Sequence, residues 1–243
     1  MRPFLFLGTR AEDEVADGEY AAMMSFGGLR EEELVRVRLE AEPLPQVDLD
    51  DWSGVIMGGG PFNVSDPDEQ KSEVQHRVEK ELRGLAERLV AADFPVLGAC
   101  YGVGTFGTLA GGVVDRTYGE PIGALPITLT DEGMADPLLG ALPREFMAFL
   151  GHKEAVRTLP RGAVPLASSA TCPVHAFRIG RNVYATQFHP ELDVAELVRR
   201  IEAYQHHGYF DPGEVEDVIA GARSGVVTEP TKLVGRFVEL YAR

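Results

Sequence analysis

Phe94-Pro95-Val96-Leu97-Gly98-Ala99-Cys100-Tyr101-Gly102 is the stretch whose reading decides the fold. A short apolar run that ends at a glycine suits a strand buried on both faces of a parallel sheet. Gly98 and Gly102 flank Cys100 two positions away on either side, between that strand and a predicted helix. This is the spacing of a Gly-x-nucleophile-x-Gly elbow, with cysteine where hydrolases place serine. A nucleophile on so sharp a turn sits in strained backbone, and neighbouring side chains would collide unless they were small. The helix that follows is expected to aim its free N–H groups at the sulfur and favour the thiolate. An isolated Gly-x-Cys-x-Gly is equally well a buried cysteine packing as a small hydrophobe, so other segments must decide.

Upstream, strand and helix patterns alternate. Pro3 to Gly8 reads as a buried strand, Glu14 to Met24 as a helix closed by Gly27-Gly28, and Leu34 to Leu39 as a more exposed strand. Trp52 to Met57 is a third strand and runs into Gly58-Gly59-Gly60-Pro61. Val74, Val78, Leu82, Leu85 and Leu89 recur at helical spacing with charges between them. Such alternation predicts an α/β fold, a mostly parallel sheet covered on both faces. Val113 to Ile179 is rich in Gly and Pro and reads as short strands and loops, and Asn182 to Gln187 as a last strand. Three helices follow: Val194 to Tyr204 after an Asp193 N-cap, Glu214 to Ala222, and Thr231 to Tyr241. The expected organisation is one domain over 1–193, with 194–243 a helical extension packed on it.

Composition narrows the functions. The 243 residues carry 23 Lys+Arg against 38 Asp+Glu, a net charge of −15, which disfavours nucleic acid and anionic membrane as partners. No apolar stretch reaches the ~18 residues of a membrane span, and the start lacks the h-region of a signal peptide. Two cysteines, Cys100 and Cys172, are too few for a disulfide framework. The expected compartment is a reducing cytoplasm, with Cys172 structural. The six histidines show no His-x-x-x-His pair, so no metal or other cofactor is expected.

Val183-Tyr184-Ala185-Thr186-Gln187-Phe188-His189-Pro190-Glu191 supplies what the elbow lacks. In extended chain, residues i and i+2 share a face. Glu191 can therefore accept the imidazole N–H of His189 and fix its tautomer, which leaves the other nitrogen to take a proton from a thiol. A lone His-x-Glu is usually a surface pair; beside the elbow it completes a Cys-His-Glu triad.

Together these segments resemble the class I glutamine amidotransferases. The match rests on Gly98-Ala99-Cys100-Tyr101-Gly102 and Gln187-Phe188-His189-Pro190-Glu191, with Gly58-Gly59-Gly60-Pro61 upstream. Arg116-Thr117-Tyr118-Gly119, Gly151-His152-Lys153-Glu154 and Cys172-Pro173-Val174-His175-Ala176-Phe177 support it. The resemblance runs over 1–193 and is nearest to stand-alone relatives of the amidotransferase domain of GMP synthase. It implies a flavodoxin-like, three-layer α/β/α sandwich and hydrolysis of a side-chain amide through a cysteine thioester. By the same resemblance Cys100 is the nucleophile, His189 the base and then the acid, and Glu191 its orienter. The N–H groups of Gly60 and Tyr101 form the oxyanion hole, and Gly59, Gly104, Tyr118, His152, Lys153 and Glu154 contact substrate. Glutamine or a related amide is the implied substrate and a separate synthase the implied ammonia acceptor. A homodimer is left open.

Three positions depart from the family. Gly104 replaces a common glutamine, Lys153 a common glycine, and His175 a common glutamine. Gly104 is expected to open room for a different or larger amide. Two other readings compete. Gly102-Val103-Gly104-Thr105-Phe106-Gly107 spells the dinucleotide fingerprint, with Glu120 as the only acidic candidate downstream. Alternatively the chain is a catalytically weak subunit that docks a partner through its C-terminal helices. The motifs that bind ATP phosphates, Gly-x-x-x-x-Gly-Lys-[Ser/Thr] and Ser-Gly-Gly-x-Asp-Ser, are not present in the sequence.

Overall fold

The computed structural model describes residues 1–243. In chain order it comprises β1 (Phe4–Gly8), α1 (Asp13–Gly27), β2 (Leu34–Arg38), β3 (Gly54–Met57), α2 (Glu73–Ala91), β4 (Val96–Ala99), α3 (Tyr101–Gly107), β5 (Val113–Asp115) and β6 (Glu120–Leu129). There follow α4 (Asp131–Ala135), β7 (Glu145–His152), β8 (Ala155–Thr158), β9 (Ala163–Ser168), β10 (Ala176–Ile179), β11 (Val183–Thr186), α5 (Val194–Ala203), α6 (Val215–Ser224) and α7 (Lys232–Tyr241). One nine-stranded sheet runs β2-β1-β3-β4-β11-β10-β9-β6-β7. Its first five strands are mutually parallel, and the pairings from β11 through β7 are antiparallel. Helices cover both faces, which gives the expected three-layer α/β/α sandwich.

The continuous apolar runs are explained by burial on both sides. Leu5, Leu7, Val55, Met57 and Val96 pack under α2 and α3 with Val78, Leu82, Leu85 and Leu89. Their strand neighbours Phe4, Phe6, Ile56 and Leu97 face the opposite way, onto Met23 of α1 and Leu233, Val234 and Phe237 of α7. The expected stripe on α2 holds except at Val74, which is 37% exposed in the first turn. Ser72 caps that helix by accepting the Gln75 N–H at 3.1 Å.

The middle of the chain departs from expectation. In place of short strands and loops it contains the ten-residue β6 and the eight-residue β7. Two prolines, Pro121 and Pro126, lie within β6. They are tolerated because β6 pairs with β9 only at Thr128 and Leu129, so most of its length has one partner, β7, and the missing N–H groups cost nothing.

The segment after residue 193 belongs to the same core. Phe237 is fully buried, 5.8 Å from the Phe4 ring, and α5 and α6 bury Leu197, Ile201 and Ile219 around Phe149 of β7. The apolar face of α7 is therefore interior and no docking surface. Phe237→Ala should cost about 3–5 kcal/mol in denaturant unfolding. A loss within the ~0.5 kcal/mol typical of surface substitutions would show 194–243 to be an appendage.

Candidate active site

The C-terminal ends of β1, β3, β4 and β11 meet on one side of the sheet, where open α/β folds place their ligands. Cys100 occupies the turn between β4 and α3 at φ 49° and ψ −81°, a conformation disfavoured for a side-chain-bearing residue. Its N–H donates to the Thr186 carbonyl at 2.7 Å, which pins the turn to the end of β11. A Cβ on Gly98 would lie 3.0 Å from the Gly102 Cα, so the two glycines allow strand and helix to cross.

The residues after β11 bring in the histidine. The N–H of His189 donates to the Phe149 carbonyl at 3.1 Å, and its Nδ1 lies 2.8 Å from Glu191 Oε1. The same carboxylate oxygen accepts Arg200 Nη1 at 2.9 Å. Burial would raise the Glu191 pKa, yet His189 and Arg200 hold it well below the usual carboxylate range. Burial pushes the His189 pKa below its ordinary value despite Glu191, so the ring is neutral at pH 7. Arg200 Nη1 also lies 3.1 Å from Nδ1; assigning Nδ1–H to the shorter contact with Glu191 leaves the free lone pair on Nε2. Gly59 permits this approach: a Cβ there would meet His189 Cε1 at 2.6 Å.

Cys100, His189 and Gly60 line one cavity of about 40 Å³, together with Arg10, Tyr204 and Tyr209. That holds a few waters and falls far below the ~300 Å³ of ordinary ligand pockets. The thiol is pushed up to about 12, first by burial, with Arg10 and Arg200 opposing and Glu154 and Glu191 reinforcing. The thiolate expected from the helix end is thus not the resting form. Burial outweighs the ~0.3–1 kcal/mol of a helix terminus, and α3 has only seven residues.

The remaining expected positions lie outside this cavity. Gly59 is behind His189. Tyr101 turns its ring away, edge-on to Phe62 at 6.1 Å, while its N–H remains at the first position of α3. Gly104 opens no room: a Cβ there would meet Glu154 Oε1 at 2.9 Å and Val64 Cγ1 at 3.0 Å. Glu154 itself accepts the N–H groups of Val64 and Ser65 at 3.1 and 2.8 Å, holding the loop after Gly60. Tyr118 sits half-buried in the turn before β6. The ring of His152 spans the Glu154 carbonyl and Glu120 Oε2, both at 2.9 Å.

Glu120 explains why the glycine-rich α3 is no dinucleotide fingerprint. Its carboxylate accepts hydrogen bonds from His152, His175 at 2.6 Å, Ser169 at 2.7 Å and Thr171, and is unavailable to a ribose. Gly107 serves packing, with a Cβ reaching Val114 and Val156 at 2.9 Å. Glu120, His152, Cys172 and His175 also bring four metal-ligand atoms within 4.8 Å of one another. These groups are held by the hydrogen bonds just described, with the Cys172 thiol on the Val174 carbonyl at 3.5 Å.

Several site residues were not singled out from sequence. Arg10 and Thr9 follow β1, and the rule that ligands gather at carboxyl ends of parallel strands could have flagged them. Gln187 Nε2 lies 3.9 Å from Cys100 Sγ. Glu19, Arg200, Tyr204 and Tyr209 come from helices and their connections, with no motif to mark them. The last two belong to a cap over Cys100. Lys153 fastens it by donating to the His207 carbonyl at 2.5 Å, and its ammonium lies 4.4 Å from the Tyr209 ring centre.

The family model for glutamine amidotransferase class-I matches residues 25–207. The chain belongs to that family. Among curated relatives it is 29% identical over 187 residues to a GMP synthase [glutamine-hydrolyzing] of Acetivibrio thermocellus, covering 72% of this chain and 34% of that protein. Against the GMP synthase [glutamine-hydrolyzing] of Porphyromonas gingivalis it is 32% identical over 150 residues, 61% of this chain and 26% of the other. This class I amidotransferase chain thus spans about a quarter to a third of these relatives. A glutamine amidotransferase from Thermotoga maritima has the same fold, with TM-score 0.74 at 18% identity over 99% of this chain and 98% of that one.

Two measurements probe the site's surroundings. Lys153→Ala should speed alkylation of Cys100 by iodoacetamide roughly 2–10-fold, the worth of one net hydrogen bond; an unchanged rate would show that the cap is no barrier. Four hydrogen bonds hold Glu120 well below the carboxylate range against the opposing effect of burial. Its contribution is therefore present above the unfolded value of about 4.3 and lost as pH falls. Glu120→Gln should cost about 1–3 kcal/mol at pH 7 and show a shallower loss of stability in acid than the parent; equal acid slopes would contradict this.

Proposed function

We propose that the chain hydrolyses the side-chain amide of glutamine through a Cys100 thioester and passes the ammonia to a separate synthase. The observation that carries the reading is His189, held by Glu191 at 2.8 Å, in the same cavity as a cysteine on a strained elbow. His189 Nε2 takes the thiol proton as the sulfur bonds to the amide carbon, and the carbonyl electrons move onto oxygen. The N–H groups of Gly60 and Tyr101 receive that oxyanion, donors worth about 2.7–4 kcal/mol each in other enzymes. The oxyanion collapses, the C–N bond breaks, and His189 returns the proton to nitrogen, releasing ammonia. Water then attacks the thioester, giving up a proton to His189; the C–S bond breaks, the thiol is re-formed and glutamate leaves.

The ammonia acceptor follows from the relatives, whose names join glutamine hydrolysis to GMP synthesis. A second reading, hydrolysis of another γ-glutamyl amide, draws support from Gly104. Val64 and Glu154 fill the space of the glutamine side chain common there, which removes a polar contact to substrate.

Glutamate release from glutamine, assayed with and without a synthase partner, tests the proposal. Cys100→Ala should abolish release and His189→Ala lower it by about 10²–10⁴-fold. Release from γ-glutamyl amides but not from glutamine would favour the second reading. The depressed His189 pKa has a definite sign: the base form is needed, so activity rises with pH through a midpoint below the ordinary 6.5. An acid limb centred above 6.5 would contradict that assignment.

A further inference from the structure

Behind the cavity four charged side chains are almost wholly buried: Arg10 (4% exposed), Glu19 (1%), Glu191 (0%) and Arg200 (5%). Two cations and two anions leave the group neutral. Glu191 has a part in the triad. Glu19, on α1, has none, yet it touches everything around it. Its Oε1 accepts the Gly59 N–H at 3.1 Å and Arg10 Nε at 3.1 Å, and faces Arg200 Nη2 at 3.4 Å. Arg200 in turn donates to Glu191, which holds His189. Arg10 is steadied by the Tyr204 hydroxyl at 3.1 Å and lines the cavity with Cys100. The glycine loop lies directly on the carboxylate, since a Cβ on Gly58 would stand 2.4 Å from Glu19 Oε2.

We infer that Glu19 is a positioning residue for the amide-hydrolysing centre: its carboxylate holds the Gly58-Gly59 peptide, one step before Gly60, and both arginines in register with His189 and Cys100. The inference rests on the reading of Cys100, His189 and Gly60 given above. It assigns two separable effects to one carboxylate. Its position places the backbone that presents the Gly60 N–H. Its charge offsets one of the two guanidiniums beside the thiol and the imidazole. The other charged or titratable groups facing Cys100 are Glu154, Glu191 and Tyr209, and those facing His189 are Glu191 and the same two arginines.

Three variants separate the effects, read by the pH midpoint of Cys100 alkylation and by kcat for glutamate release. Glu19→Gln keeps the size and removes the charge. The uncancelled positive charge should lower the alkylation midpoint by about one unit, and kcat should fall with little change in KM. Glu19→Asp keeps the charge and shortens the reach to Gly59. Its midpoint should stay at the parent value while kcat falls by about 10–100-fold, as misplacement by an ångström does elsewhere. The double variant Glu19→Gln with Arg10→Gln restores neutrality, so its midpoint should return to that of the parent while kcat remains low. Folded Glu19→Gln with the parent's midpoint and kcat would overturn the inference. Should that variant not fold, Glu19→Asp with undiminished kcat would do the same. A parent chain that releases no glutamate but whose alkylation midpoint drops in Glu19→Gln would separate the two ideas: the amide reading fails and the role of Glu19 on the thiol stands.

Discussion

The site depends on the register between β11 and β4. Thr186 stands opposite Ala99, and the next step along each chain leaves the sheet. Because the Thr186 carbonyl accepts the Cys100 N–H at 2.7 Å, the elbow and the histidine segment depart from one fixed point. A slip of one residue would turn every side chain of β11 to the other face. Such a slip is resisted because Val183, Tyr184, Ala185 and Thr186 are all buried, with Tyr184 and Ala185 in opposite core layers. The strain at Cys100 persists because the sheet on one side and α3 on the other leave the turn no alternative.

The antiparallel half of the sheet serves the parallel half. Strand β7 supplies the Phe149 carbonyl that takes the His189 N–H, and Gly151 as part of the cavity wall. Two residues on, the Glu154 carboxylate reaches across to the loop after β3. The Glu120 cluster lies under this strand and ties it to the segment 169–175 through His152, His175, Ser169 and Thr171. Helix α5 then contributes Arg200 from above. Helix α5 and the connection after it thereby line the cavity as well as the core, and the family match likewise continues past residue 193, to 207.

What the sequence made legible was whatever a local pattern encodes. The apolar runs at Phe4 to Leu7 and Val96 to Leu97 marked buried parallel strands, and Gly-x-Cys-x-Gly and His-x-Glu are each contained within five residues. The quartet of Arg10, Glu19, Glu191 and Arg200 was not legible, because its members come from four separate helix or loop segments and meet only after the layers pack. Gly104 misled for the same reason. An absent side chain suggests space, but whether space exists depends on Val64 and Glu154, forty and fifty residues away along the chain. The thiolate expected at Cys100 failed on a competition between two effects: the helix end was visible in the sequence and the burial that outweighs it was not.

Burial has a consequence for how the centre works. It raises the thiol to about 12 and lowers the imidazole, so moving the proton from Cys100 to His189 is uphill while the cavity holds only water. An ion pair of thiolate and imidazolium therefore does not accumulate in the free protein. In the proposed reaction the transfer becomes favourable in step with bond formation to a carbonyl, when negative charge leaves sulfur for an oxygen that backbone N–H groups can receive.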